Sequence, residues 1–286
     1  MVRLFSPSPS KRVLRKSVDL PAIKREYAYH GKPLTYFGLP SEGFYDVLDW
    51  LPYIGQVFAV ERGDPYNHER KQATLLSKAI RLGLHERLVL LRGEVNQMIV
   101  RGEDDVGQEL VYPFELVNFD YGGALLYPDR FRVEALEKFV RDQRGTDFLF
   151  LLTLNLREYD SVEITATQER IVSEVSQLSP RKTKSIEAYL EETNKGDYPT
   201  RQIIHVLYLL KGLAEASHYQ FSWQPPVIYS GSKGTQLVHY MAAFRFQAKA
   251  STKVVSKQSL IDLLNASPRF LKGNRLVLMQ RASPRF

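Results

Sequence analysis

From residue 34 onward the chain alternates short apolar runs with longer amphipathic ones, the pattern of an α/β fold on parallel strands. Strands are predicted over 34–39, 56–61, 87–92, 112–119 and 148–156. The fifth is almost continuously apolar, as a strand covered on both faces requires. A helix is predicted over 44–54, where Phe44, Val47, Leu48 and Leu51 fall at helical spacing. Asp64-Pro65 reads as an N-cap and first-turn proline of a helix running to about 82 and stopped by Gly83. A polar excursion over 101–108 precedes the fourth strand, and Pro128-Asp129 opens a helix over about 130–143.

After residue 156 the rhythm changes. Residues 162–198 are polar and charged, with helices expected over 167–177 and 181–193. An apolar helix over 200–216 follows. Runs at 226–229 and 237–247, joined by Ser230-Gly231-Ser232-Lys233-Gly234, predict an antiparallel hairpin. One further helix is expected around 257–265. Ahead of the first strand, Ser6-Pro7-Ser8-Pro9-Ser10 forms no regular element, and 22–30 reads as either a short helix or an extended lead-in. The organisation predicted is therefore a basic N-terminal arm (1–33), one α/β domain (34–248) with a helical insertion at about 160–198, and a basic C-terminal tail (249–286).

Charge sharpens that division. The net charge is +7, yet residues 1–25 carry seven Lys/Arg against Asp19, and residues 249–286 carry eight against Asp262. The centre is acidic and both ends are basic. Such ends either are solvated tails or seek a polyanion, and nucleic acid is the partner expected of the pair. The candidate contacts are Lys11, Arg12, Arg15, Lys16, Lys253, Lys257, Arg269, Lys272 and Arg275. Ala-Ser-Pro-Arg-Phe occurs at 266–270 and again at 282–286, by chance or duplication, or as a docking peptide for a protein partner. Cysteine is absent, which excludes disulfides, thiolate metal sites and a cysteine nucleophile. No apolar run reaches the roughly 18–20 residues of a membrane span and no secretory leader is visible, so a soluble cytoplasmic protein is expected.

The candidate chemistry sits where the strands end. The first runs into the turn Phe37-Gly38-Leu39-Pro40-Ser41-Glu42-Gly43, the second ends on Glu61, the third leads to Glu94-Val95, and the fourth ends Asn118-Phe119-Asp120-Tyr121. Open α/β sheets bind ligands at the carboxyl ends of their strands. Five β-α units followed by a helix and a hairpin resemble the class I S-adenosylmethionine-dependent methyltransferases. That resemblance implies a Rossmann-like three-layer sandwich, with one antiparallel strand in a mostly parallel seven-stranded sheet, and S-adenosylmethionine as cofactor. It implies that Phe37, Gly38, Pro40, Ser41 and Gly43 wrap the amino-acid end of the cofactor. Glu61 would take the ribose hydroxyls, and Glu94 and Val95 would lie beside the adenine. Asn118-Phe119-Asp120-Tyr121 is similar to the Asn/Asp-Pro-Pro-Tyr/Phe tetrapeptide of enzymes that methylate base amines. By that likeness Asn118 and a backbone carbonyl would hold the amine and Tyr121 would stack on the base, with Asp120 adding a carboxylate to the candidate catalytic group. The first strand lacks the family's terminal acid and Gly-x-Gly, and both prolines of the tetrapeptide are replaced. A methyltransferase acting on nucleic acid is the leading reading; a non-catalytic subunit keeping the sheet is the alternative.

Other chemistries find no pattern. There is no phosphate-binding P-loop, no Gly-x-Gly-x-x-Gly after the first strand and no Gly-x-Ser-x-Gly elbow. The six histidines (30, 68, 85, 205, 218, 239) form no metal-ligand spacing, so no metal is expected. His205, inside an apolar helix, reads as a satisfied core histidine. Tyr219, Phe221, Trp223 and Tyr229 read as core packing or as a stacking surface.

Overall fold

The computed structural model describes residues 8–40, 43–61, 68–121, 123, 125, 131–143, 145–156, 161–178, 180–194, 198–231, 235–247, 262–264, 268–272 and 275–278. Ser41, Lys253, Lys257, the caps at 64–65 and 128–129, and the second copy of the repeated pentapeptide lie outside the described residues.

Five parallel strands form the expected frame: β1 (Leu34–Gly38), β2 (Ile54–Glu61), β3 (Leu88–Arg92), β4 (Leu116–Asp120) and β5 (Phe148–Asn155). The hairpin is longer than its apolar runs suggest, β6 (Tyr219–Ser230) and β7 (Gln236–Phe246). Along the sheet the order is β3-β2-β1-β4-β5-β7-β6, with β7 antiparallel to both neighbours. Two further strands, β8 (Arg269–Lys272) and β9 (Arg275–Leu278), continue the sheet beyond β6. Among the described residues the count is therefore nine rather than seven, and part of the supposed tail belongs to the sheet. Chain order doubles back between β1 and β4, so the crevice at their carboxyl ends is a topological switch point.

Strand alternation sorts side chains onto two faces. On one face Phe37, Phe58, Phe119, Phe148 and Phe150 pack beneath α5 (Val95–Arg101), α6 (Phe131–Asp142) and α9 (Tyr198–Ala216). The helices α7 (Ser161–Leu178) and α8 (Pro180–Asn194) extend this layer through buried Ile171, Ile186 and Leu190. All eight positions of β5 are buried, which accounts for its unbroken apolar run. On the other face Leu34, Tyr36, Val57, Ala59, Leu149, Leu151 and Met241 meet α3 (Tyr45–Trp50) and α4 (His68–Arg81).

The same second face is also covered by the chain's beginning, which is a correction to the reading of 1–33 as a non-globular arm. Residues 9–30 are helical: α1 (Pro9–Leu14), a π-helical turn (Arg15–Asp19) and α2 (Leu20–His30), which Gly31 ends at φ 65°. Leu14, Val18, Ala22 and Ile23 are buried in that core. Their near-regular four-residue spacing gives the segment an apolar stripe despite its lysines and arginines.

Entry from α2 into β1 is fixed by a buried carboxylate. Glu115 Oε1 pairs with Lys32 Nζ at 2.7 Å, and Oε2 accepts from the Thr35 backbone N–H at 2.7 Å. Burial pushes this carboxyl up, but the Lys32 ammonium and the Thr35 bonds outweigh it and hold the pKa below the ordinary value. A depressed folded pKa means that the contribution is present above the unfolded value of about 4.3 and is lost as pH falls through the lower folded value. Glu115→Gln is expected to cost about 1–3 kcal/mol at neutral pH and to flatten the acid limb of stability against pH. Urea denaturation across that limb reads it; an unchanged slope refutes the assignment.

Candidate functional site at the switch point

Register brings the strand ends into rank. Gly38 aligns with Ala59 on one side and Asn118 on the other, and Glu61 aligns with Arg92. Farther along the sheet Asp120 aligns with Thr153, and Thr153 with His239. Asn118, Asp120, Thr153 and His239 therefore stand at one end of the sheet, on the face that carries α1 to α3. Together with Lys11, Leu14, Arg15, Asp19, Leu39, Asp46, Trp50 and Tyr229 they enclose a recess with about 70 Å³ of free space.

Backbone contact is closest at Gly38. A Cβ there would lie 2.5 Å from the Asn118 carbonyl oxygen and 2.6 Å from the Tyr36 hydroxyl, so only glycine fits between β1 and β4. The turn that follows re-enters helix through Phe44, a buried non-glycine residue at φ 50°, a conformation costing of order 1 kcal/mol or more.

Most of the polar groups in the recess are committed to one another. Asp46 Oδ2 accepts from Asn118 Nδ2 at 2.9 Å and from the Tyr36 hydroxyl at 2.8 Å. Burial pushes the Asp46 carboxyl up, against the hydrogen bonds of Tyr36, the Val47 backbone and Asn118. Burial likewise raises the Tyr36 and Tyr229 hydroxyls well above their ordinary value. His239 lies between two partners: Nδ1 is 2.9 Å from Thr153 Oγ1, and Nε2 is 2.9 Å from Asp19 Oδ1. With the ring neutral, the carboxylate assigns the proton to Nε2, and Nδ1 accepts from the Thr153 hydroxyl. Sequence inspection missed this chain because Asp19 and His239 stand 220 residues apart. The only local signal is a polar Thr153 near the end of an otherwise apolar strand.

The beginning of the chain closes the recess. Lys11 Nζ is bonded to Asp120 Oδ2, and Arg15 Nε donates to Asp49 Oδ2 at 2.8 Å with its guanidinium over the Tyr45 ring. Arg15 is 9% exposed. Neither residue is displayed as part of a free basic arm, which corrects their reading as nucleic-acid contacts; Arg12 and Lys16 remain exposed. In the C-terminal part Arg269 donates to the Pro225 carbonyl, and Lys272 and Arg275 stand opposite each other in the β8–β9 ladder.

The predicted site residues thus divide. Gly38, Pro40, Gly43 and Glu61 do stand at the β1 turn and the β2 end, the last half-buried. Phe37 is a core residue whose ring stacks on Phe114 at 4.6 Å between centroids. Val95 is buried in the same core. Glu94 is the N-cap of α5: Oε2 accepts from the Gln97 backbone N–H at 2.9 Å, and Oε1 accepts from Asn96 Nδ2 at 2.6 Å. Tyr121 is 4% exposed, donates to Asn96 Oδ1 at 2.7 Å and lies under the Arg132 guanidinium. A base cannot stack on that enclosed ring, which corrects its predicted role. Asn118 and Asp120 are together in the recess.

Elsewhere, His205 is buried and its Nδ1 lies 2.6 Å from Thr167 Oγ1. That pair lines a separate hollow of about 420 Å³ between α6, α7 and α9, away from the strand ends. Tyr219 is core, and Phe221 stacks on Trp223 at 5.5 Å. Among the described residues no cluster has the make-up of a metal site, and no helix is long and apolar enough to cross a membrane.

No family model matches the chain, and no curated protein matches its sequence. Among solved structures it is similar to an O-methyltransferase from Bacillus cereus in complex with S-adenosylhomocysteine, with 13% identity over 85% of this chain and 94% of that one and a TM-score of 0.40. It is also similar to the O-methyltransferase TomG from Streptomyces achromogenes, involved in tomaymycin synthesis and in complex with S-adenosylmethionine (12% identity, 86% and 93% covered, TM-score 0.43). A third is precorrin-6y C5,15-methyltransferase from Geobacter metallireducens (9% identity, 79% and 87% covered, TM-score 0.36).

Proposed function

We propose that this protein transfers a methyl group from S-adenosylmethionine to an acceptor presented at the carboxyl ends of β4 and β5. The observation that carries the reading is the strand order β3-β2-β1-β4-β5-β7-β6, with β7 alone reversed, together with the polar residues at its switch point. The frame suits the cofactor at two places: the glycine turn after β1, and Glu61 at the end of β2, whose carboxylate can accept from both hydroxyls of a ribose. The recess at the ends of β4 and β5, which Leu39 of that turn reaches and Glu61 does not line, has about 70 Å³ free, short of the roughly 300–1,000 Å³ of ligand pockets while α1 is seated. Opening of α1 therefore precedes productive binding.

The cofactor, when bound, supplies an electrophilic methyl on a sulfonium. The chain's own residues have the other tasks. Asn118 and Asp120 shape the acceptor side, and the Asp19–His239–Thr153 chain holds the imidazole in place beside them on the same face of the sheet. Because Lys11 and Arg15 are engaged internally, we assign the choice of acceptor to the recess rather than to the basic ends; Arg12, Lys16, Lys253, Lys257, Lys272 and Arg275 are left to any nucleic-acid contact. Calorimetric titration with S-adenosylmethionine tests the reading. Glu61→Ala is expected to weaken binding roughly 10–100-fold, the worth of charge-assisted hydrogen bonds. Equal affinity in both proteins removes the ribose assignment.

A second reading, a subunit that keeps the sheet without catalysis, is favoured by one observation: Asn118 and Asp120 are both bonded to the protein's own side chains. Absence of cofactor binding to the wild-type chain selects it.

A further inference from the structure

The recess carries an excess of negative charge that the chain meets with one of its own amines. Three carboxylates line it, Asp19, Asp46 and Asp120. Arg15 is bonded to Asp49, which lies outside the lining, and the same carboxylate draws Lys16 Nζ to 3.7 Å. Asp19 is bonded to His239. Among the described residues Arg15 acts on Asp46 only across space, and Lys11 is the cation bonded to a carboxylate of the lining, its Nζ placed on Asp120. Asp46 adds an independent sign. It is 8% exposed, and its Oδ1 has no hydrogen-bond partner among the described residues. A buried carboxylate oxygen left unpaired is costly unless a donor reaches it. Trp50 and Tyr229 supply aromatic wall, which favours a cation over an anion. The carboxylates and the aromatic wall suit an ammonium on an alkyl chain, and about 70 Å³ remains free beside Lys11 while it is seated.

The seated amine belongs to a short helix joined to the rest by a π-helical turn, Arg15–Asp19. Such turns, with i→i+5 bonds, locally widen and under-wind a helix and are frequent at functional sites. Leu14 anchors the helix in the core, but Lys11 and Asp120 are each about one-third exposed, so this bond can open to water.

We infer that the recess is a subsite for a primary ammonium group, that Lys11 is its built-in occupant, and that α1 is a strap which the amine of a substrate displaces. This deepens the methyl-transfer reading by naming the acceptor class, an alkyl amine of the lysine-side-chain type, and rests on that reading for the purpose of the site: the bound ammonium would first lose a proton to solvent, and the freed nitrogen lone pair would form the bond to the methyl as the methyl–sulfur bond of the sulfonium breaks, leaving the neutral thioether.

The test needs no cofactor, so it fails separately from the methyl-transfer reading. Nα-acetyl-lysine methylamide is titrated into the full-length wild-type protein and Lys11→Met, followed by NMR, with adenosine and cytidine as a second arm. A subsite occupied by its own strap about nine-tenths of the time weakens an incoming ligand about tenfold. Lys11→Met is therefore expected to bind the lysine probe about tenfold tighter than wild type, and Asp120→Asn in that background is expected to abolish the gain. Equal binding in Lys11→Met and wild type, binding that survives Asp120→Asn, or preference for the nucleosides overturns the inference. A measurement on the wild type alone guards against a misfolded variant. Brief acetylation with mass-spectrometric readout is expected to find Lys11 protected relative to Lys16, and the probe is expected to remove that protection. Lys11 labelling as fast as Lys16, or unmoved by the probe, also overturns it.

Discussion

Replacing Asp19 by alanine is expected to lower folding stability by about 2–4 kcal/mol, between the loss of a charge-assisted hydrogen bond and the breaking of a buried ion pair. Asp19 is 2% exposed and His239 is 3% exposed, so water cannot take over the vacated place. The substitution leaves Nε2 of a buried imidazole without its acceptor and loosens the π-helical turn from β7. Asp19→Asn keeps an acceptor oxygen at nearly the same place and is expected to lose less. Chemical denaturation of the two variants, with the Asp19→Ala/His239→Ala double mutant to close the cycle, measures the coupling. A coupling energy below about 0.5 kcal/mol would show that the two side chains are merely neighbours.

Phe139→Ala is expected to cost about 3–5 kcal/mol. This fully buried ring stacks on Phe37 at 5.6 Å and meets Phe119 edge-on at 5.5 Å and Phe148 at 6.4 Å. It holds α6 onto β1, β4 and β5 at once. Truncation opens a cavity whose walls belong to three strands and a helix, which cannot collapse together. Because Phe37 and Phe119 flank Gly38 and Asn118 in sequence, relaxation of the cavity also reaches the switch point. Phe139→Leu, which refills much of the volume, is expected to recover more than half of the loss. A loss under about 1 kcal/mol for the alanine variant would mean that the aromatic cluster is not the rigid base of the sheet.

The parallel strands could be read from the chain because each is a dense apolar run bounded by a polar residue or a turn. Their carboxyl-end groups could be named for the same reason. Direction was harder to read. Asn118 and Asp120 point to one face while Phe119, and beyond the strand Tyr121, turn to the other. A tetrapeptide likeness counts residues in a line and carries no knowledge of faces, so it grouped Tyr121 with Asn118 although the sheet lies between their surroundings. Glu94 misled for a related reason: an acid after a strand is also the best opening for the next helix, and α5 uses it so. The first thirty residues were hidden by composition. Their lysines, prolines and serines outweighed the spacing of Leu14, Val18 and Ala22, which only the cavity-side face of the sheet makes meaningful. The added strands β8 and β9 depend on pairing at the far edge through Val227 and Ile228, a register that no local pattern announces.

The Asp19–His239 bond joins the π-helical turn that follows α1 to the last strand of the hairpin. During synthesis the N-terminal helix leaves the ribosome long before either Asp120 or His239 exists. Its apolar stripe of Leu14, Val18 and Ala22 is not fully held until β7 has been made and paired. Seating of α1 and α2 is consequently a late event: a chain lacking β7 leaves Asp19 without its imidazole partner and that stripe loosely covered, where proteases and chaperones can recognise it.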